Sequence, residues 1–136
     1  MEDKVIHKDL SYKLIGLAIQ VRKELGFGFL EKVYENALMV LLEENQIKAE
    51  QQVSIKVNFH GRVIGNYIAD ILVEDSIILE LKSIDTITKY EKAQTLNYLK
   101  ATGLKLAIVL NFAKEGLTQE RFVNLFFSCL FVFVRG

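Results

Sequence analysis

The segment YIADILVEDSIILELKS, residues 67–83, sets Asp70, Glu80 and Lys82 into the most apolar part of the chain. Its apolar runs flank the polar stretch Glu74-Asp75-Ser76 and read as two strands joined by a turn. With a three-residue loop, Val73 pairs with Ile77 and Leu72 with Ile78, so Asp70 falls opposite Glu80. Cross-strand partners have Cβ atoms about 4.5–5.5 Å apart, a range at which two carboxylates repel. Lys82 lies two residues beyond Glu80, on the same face by strand alternation. A partly buried pair of acids takes up a proton or shares a cation. Mg²⁺, with Mn²⁺ as a substitute, suits an all-oxygen site and leaves positions for water and a substrate phosphate. Such an ion acidifies water and takes up charge on a phosphoryl oxygen, and a lysine beside it orients the water or neutralises developing charge. The plainer alternative is an ion pair in which Lys82 joins Asp70 and Glu80 at a solvent-facing sheet end.

The elements that must hold these residues are legible from periodicity. Leu10, Leu14, Leu17, Ala18, Val21 and Leu25 predict a helix over 8–25, with Gly26 as its C-cap. A second helix is expected over about 29–46, with Glu31 and Glu35 one turn apart on its flank. From 52 to 59 the period becomes two, with Val53, Ile55, Val57 and Phe59 on one face. His60-Gly61 reads as a two-residue hairpin turn into a strand over 62–73, and a third strand covers 77–83. A helix over 88–102, closed by Gly103, leads to a doubly buried strand over 105–112. The last strand–helix–strand crossover implies parallel pairing, hence a mixed sheet of α/β type.

The chain has 136 residues, 51% of them apolar, which suits one domain over 1–136. Lys+Arg and Asp+Glu are 17 each, so any basic footprint must come from local clustering, for which Lys89, Lys92, Lys100 and Lys105 are candidates. Cys129 is the one cysteine, so no internal disulfide forms. With an N-terminus lacking the apolar run of a signal peptide, a cytoplasmic location is expected. His7 and His60 lack partners at metal-ligand spacing, and Gly26 and Gly28 are not followed by the Gly-Lys-Ser/Thr of a phosphate loop. The apolar tail over 122–136 contains NLFFSCLFVFVRG, too short to span a bilayer as a helix, so no stable membrane insertion is expected. An added strand or a homo-oligomer seam would suit it.

Asp70 followed ten residues on by Glu80-Leu81-Lys82, across two consecutive strands, resembles the PD-(D/E)xK nuclease superfamily. Gly28, Glu31 and Tyr34 in GFLEKVY are similar to the signature of the bacterial GxxExxY protein family, as are YIADILV, IILELKS, AQTLNYLKATG and AIVLNF. The resemblance covers about residues 10–113; Ala69 stands where a proline often precedes the aspartate, and the apolar tail is foreign to the pattern. It implies a restriction-endonuclease-like αβββαβ core with an extra N-terminal helix. It also implies Asp70 and Glu80 as metal ligands, the Leu81 carbonyl as a third, and Lys82 as the catalytic lysine. Glu31 would be the helix-borne acid approaching the metal directly or through water. Gln94 and Tyr98 match a Gln-x-x-x-Tyr pattern, where they would contact substrate or brace the lysine. Tyr34 reads from its apolar stripe as a core residue. The expected function is Mg²⁺-dependent phosphodiester hydrolysis in nucleic acid, with DNA favoured over RNA. The alternative is a catalytically silent module that binds nucleic acid or protein.

Overall fold

The computed structural model describes residues 7–124. Helices α1 (Lys8–Leu25) and α2 (Glu31–Glu44) precede a meander of β1 (Ala49–Phe59), β2 (Arg62–Val73) and β3 (Ile77–Lys82). Helix α3 (Lys89–Thr102), β4 (Leu106–Ala113) and β5 (Gly116–Val123) follow. The five strands form one sheet in the order β1-β2-β3-β4-β5. Only β3 and β4 run parallel, joined by the α3 crossover. Residues of α1 and α2 pack on one face against Ile71, Val73, Leu79, Leu81, Ile108, Leu110 and Phe112. Tyr98 and Leu99 of α3 cover the other face with Ile55, Tyr67, Ala69, Ile78 and Val109.

The mixed α/β architecture agrees with the sequence expectation, and helix α1 has the bounds that periodicity predicts. Helix α2 is shorter at both ends than expected. Gly28 has φ 112° and Leu30 is extended, which delays its start, and Gln46 turns left-handed with φ 59° just after its end. Strand β1 begins at Ala49, earlier than expected, because Glu50-Gln51-Gln52 hides the alternation in polar residues. Strand β5 was not anticipated. Its sequence, GLTQERFV, is that of a half-exposed edge strand, returned onto β4 by the tight turn that pairs Ala113 with Gly116. Residues 125–136 of the apolar tail, where a strand or oligomer seam is expected, lie outside the described residues.

Two turns fix the meander. His60 and Gly61 have φ 50° and 76°, the paired left-handed conformation of a two-residue hairpin. Ser76 N–H donates to the Val73 carbonyl at 2.8 Å, closing the 74–76 turn. Lys48 N–H donates to Glu74 Oε2 at 2.9 Å, and the Lys48 ammonium pairs with Asp75 at 2.8 Å. The predicted partners Val73↔Ile77 and Leu72↔Ile78 are present, extended by Ile71↔Leu79.

Strands β1 and β2 also change faces midway. Ile71 and Val73 join the α1/α2 core, whereas Tyr67 and Ala69, of the same parity, join the α3 core. In β1, Ala49 packs on the first core and Val53 and Ile55 on the second. Strict alternation would keep each set on one side. The switch falls at Gln52, whose φ is 53°, and at Asp70 across from it, between the pairs Gln51↔Ile71 and Val53↔Ala69.

Tyr34 is a core residue, as its stripe position implies. It is fully buried and stacks on Phe112 with ring centroids 4.4 Å apart. Its hydroxyl donates to the Gly26 carbonyl at 2.7 Å and accepts from Phe29 N–H at 3.3 Å, tying down the loop between α1 and α2. Tyr34→Phe is expected to lower unfolding free energy by about 1 kcal/mol, the net worth of a buried hydrogen bond, in urea titration. Unchanged stability would show that the hydroxyl does not hold the loop.

Candidate active site

The site forms where the β2–β3 ladder ends. Beyond Ile71↔Leu79 the Asp70 carboxylate takes over, with Oδ2 accepting from Leu81 N–H at 2.8 Å. In an extended strand the N–H and C=O of one residue point to the same edge, so the Leu81 carbonyl is turned toward β2 as well. The register carries Asp70 alongside Glu80, and Lys82 closes β3.

Glu80 is 7% exposed, and the Tyr67 hydroxyl donates a short hydrogen bond to its Oε2. Burial, followed by the Asp70 charge, pushes the Glu80 carboxyl up to about 8, against the opposing pull of Tyr67 and Lys82. Asp70 is raised as well, first by burial and then by the Glu35 charge. The Leu81 N–H, Lys82 and the Gln52 side chain oppose this. Burial raises Tyr67 and Tyr98, with Glu80 adding to both. Two neighbouring acids that burial holds above their ordinary range make a place for a cation.

Helix α3 covers this place from the second face. Thr88 and Glu91 form a capping box, with Thr88 N–H donating to Glu91 Oε1 at 2.7 Å. The Lys82 charge reaches Glu91 and lowers it further, after its Thr88 hydrogen bonds. Tyr98 stacks on Tyr67 with ring planes 16° apart, and Gln94 hydrogen-bonds Tyr98. Gln94 and Tyr98 therefore reach the site through Tyr67 and Glu80.

From α2 the acid acting on Asp70 is Glu35, one turn beyond Glu31. Glu35 is 4% exposed and accepts from Gln51 Nε2 at 2.7 Å, Gln52 Nε2 at 3.1 Å and Lys32 Nζ at 3.1 Å. The left-handed Gln52 lets two successive glutamines reach one carboxylate. Glu31 stands exposed in the first turn of α2. Among the described residues no group of three or more His, Cys, Asp or Glu side chains is arranged to hold a metal. Asp70 and Glu80 remain as an all-oxygen pair, which fits a hard divalent ion that keeps water in its other positions.

Sequence reasoning missed Glu35, Gln52, Tyr67 and Asn111. Asn111 is 1% exposed, and both ends of its amide bond the backbone of Ile84. An asparagine inside the apolar run LAIVLNF was the available signal.

A mixed sheet flanked by helices, with an acid pair and a lysine at the end of a parallel strand, defines a restriction-endonuclease-like core. The family model described as the PD-(D/E)XK nuclease superfamily matches residues 8–122, and the chain belongs to that superfamily. Among solved structures, SSO0001 is similar at 20% identity and TM-score 0.55, covering 68% of this chain and 49% of its own. The chain thus spans about half the length of that protein. An alkaline exonuclease (LHK-Exo) from Laribacter hongkongensis aligns at 15% identity and TM-score 0.45, covering 90% of this chain and 72% of its own. No curated protein matches. Among the described residues, no helix is long and apolar enough to cross a membrane.

The raised Glu80 sets the pH dependence of the metal-free fold. Its stability contribution is fully present below its unfolded value near 4.5 and is lost as pH rises through about 8. Asp70 acts in the same sense, and Glu35, Lys82, Tyr67 and Tyr98 are the other ionisable groups that act on the pair. The melting temperature in chelator is expected to fall between pH 5 and pH 9, and Glu80→Gln is expected to flatten that fall. An equal slope in the variant would place the titration elsewhere.

Proposed function

We propose that this protein is a metal-dependent nuclease that hydrolyses phosphodiester bonds, with DNA as the preferred substrate over RNA and Mg²⁺ as the ion, replaceable by Mn²⁺. One observation carries the reading: the Asp70 carboxylate holds Leu81 N–H beside a buried, raised Glu80, with Lys82 next in the strand. Asp70, Glu80 and the Leu81 carbonyl would hold the ion, which when bound acidifies a water and takes up phosphoryl charge.

The chain's own groups do the rest. Tyr67 and the Asp70 backbone N–H both hold the Glu80 carboxylate in place. Lys82 positions the attacking water and offsets charge that develops on the phosphate oxygens. Gln94 and Tyr98 brace Tyr67 or contact the substrate backbone from α3. Glu31 would approach the ion directly or through water, and Glu35 would orient Gln52 and Asp70. The GxxExxY signature residues Gly28, Glu31 and Tyr34 support assignment to that family within the superfamily. Of the candidate basic residues, Lys92 pairs with Glu120 at 3.1 Å.

Purified protein is expected to cleave single- or double-stranded DNA with Mg²⁺ or Mn²⁺ and to stop in chelator. Lys82→Ala is expected to lower the rate about 10²–10³-fold, the usual loss for one charge-stabilising group. Absence of cleavage on every DNA and RNA substrate, or full activity in Lys82→Ala, overturns the reading; salt-sensitive binding without cleavage would point to the silent module. Glu35→Gln is expected to impair cleavage more than Glu31→Gln, measured as kcat on one DNA substrate. The reverse order would give Glu31 the larger role.

A further inference from the structure

We infer that Asn111 is a positioning residue for Lys82, an inference that rests on the nuclease reading above. In the parallel β3–β4 ladder Asn111 is the partner of Lys82, where β3 ends. Its Oδ1 accepts from Ile84 N–H at 2.9 Å and its Nδ2 donates to the Ile84 carbonyl at 2.8 Å. The amide thus stands in for the backbone pairing that β4 no longer supplies. Asp70 fixes Leu81 N–H on the other side of the lysine. Lys82 lies between two anchors, one on each flank of a short segment.

The chemistry restricts the residue type. A primary amide offers a donor and an acceptor side by side, matching the N–H and C=O of a single residue. A carboxylate accepts from Ile84 N–H but repels its carbonyl, and an apolar side chain serves neither. Releasing Ile84 frees the start of the connection to α3 and lets the Lys82 backbone turn. Displacement of a reacting group by about 1 Å costs on the order of 10²-fold in rate.

The test compares Asn111→Leu and Asn111→Asp with the wild type on one DNA substrate in Mg²⁺. Both variants are expected to lose about 10–100-fold in kcat, the usual loss when a group that orients a site residue is removed, with KM unchanged. Lowering the pH protonates the introduced carboxyl of Asn111→Asp and restores a donor, so its kcat relative to wild type is expected to rise. The ratio for Asn111→Leu stays flat. Wild-type kcat in either folded variant, a loss confined to KM, or a flat ratio for Asn111→Asp overturns the inference. If Asn111→Leu does not fold, the pH series of Asn111→Asp decides alone. A wild type without cleavage refutes the nuclease reading instead. The Lys82 side-chain NMR signal, assigned with Lys82→Arg, then tests the anchor: a shift in Asn111→Asp at neutral pH supports it, and an unmoved signal refutes it.

Discussion

The hydrogen bond from Leu81 N–H to the Asp70 carboxylate marks where backbone pairing gives way to side-chain chemistry. Strands β2 and β3 pair regularly up to Ile71↔Leu79. One residue further, β2 changes faces and can no longer offer its backbone in the same plane. The Leu81 donor would then be buried without a partner, at a cost of about 1–3 kcal/mol. Asp70 supplies the acceptor, and in doing so is drawn beside Glu80. The site is therefore a consequence of how a sheet with helices on both faces ends its central ladder.

The face switch explains why the surroundings of the two acids differ. Asp70 sits at the crossover and feels Glu35 from α2 as well as Lys82 from β3. Glu80 faces α3, where Tyr67 and Tyr98 remove water. Burial dominates at both, but the larger rise belongs to Glu80, whose main partner is a neutral hydroxyl. A cation between them would reverse the balance, because the same burial that favours the proton in its absence strengthens attraction to a divalent charge.

Much of this was legible in the sequence, for identifiable reasons. The hairpin register follows from a three-residue turn, so counting from Asp75 aligned Asp70 with Glu80. Helix α1 and the α3 crossover follow from apolar spacing and from Gly103, which ends α3 left-handed. The face switch was not legible. It depends on a left-handed Gln52 inside a strand, a conformation that no glycine or proline announces. Glu35 was hidden for the same reason, since its partners Gln51 and Gln52 converge only because of that kink. Strand β5 was missed because a half-exposed edge whose middle, Thr118 to Arg121, is entirely polar resembles a loop.

The Gly28, Glu31, Tyr34 pattern also acquires a physical content. Gly28 takes a positive φ that shapes the loop, and the Tyr34 hydroxyl bridges that loop at Gly26 and Phe29. The Tyr34 ring stacks on Phe112, the residue next to Asn111. Helix α2 is thereby fixed to the strand that anchors the end of β3. A rigid contact at Phe112 and a buried amide at Asn111 act on neighbouring positions of β4, one from each face of the sheet. Strand β4 thus ties helix α2 and the end of β3 that carries Lys82 to a common frame.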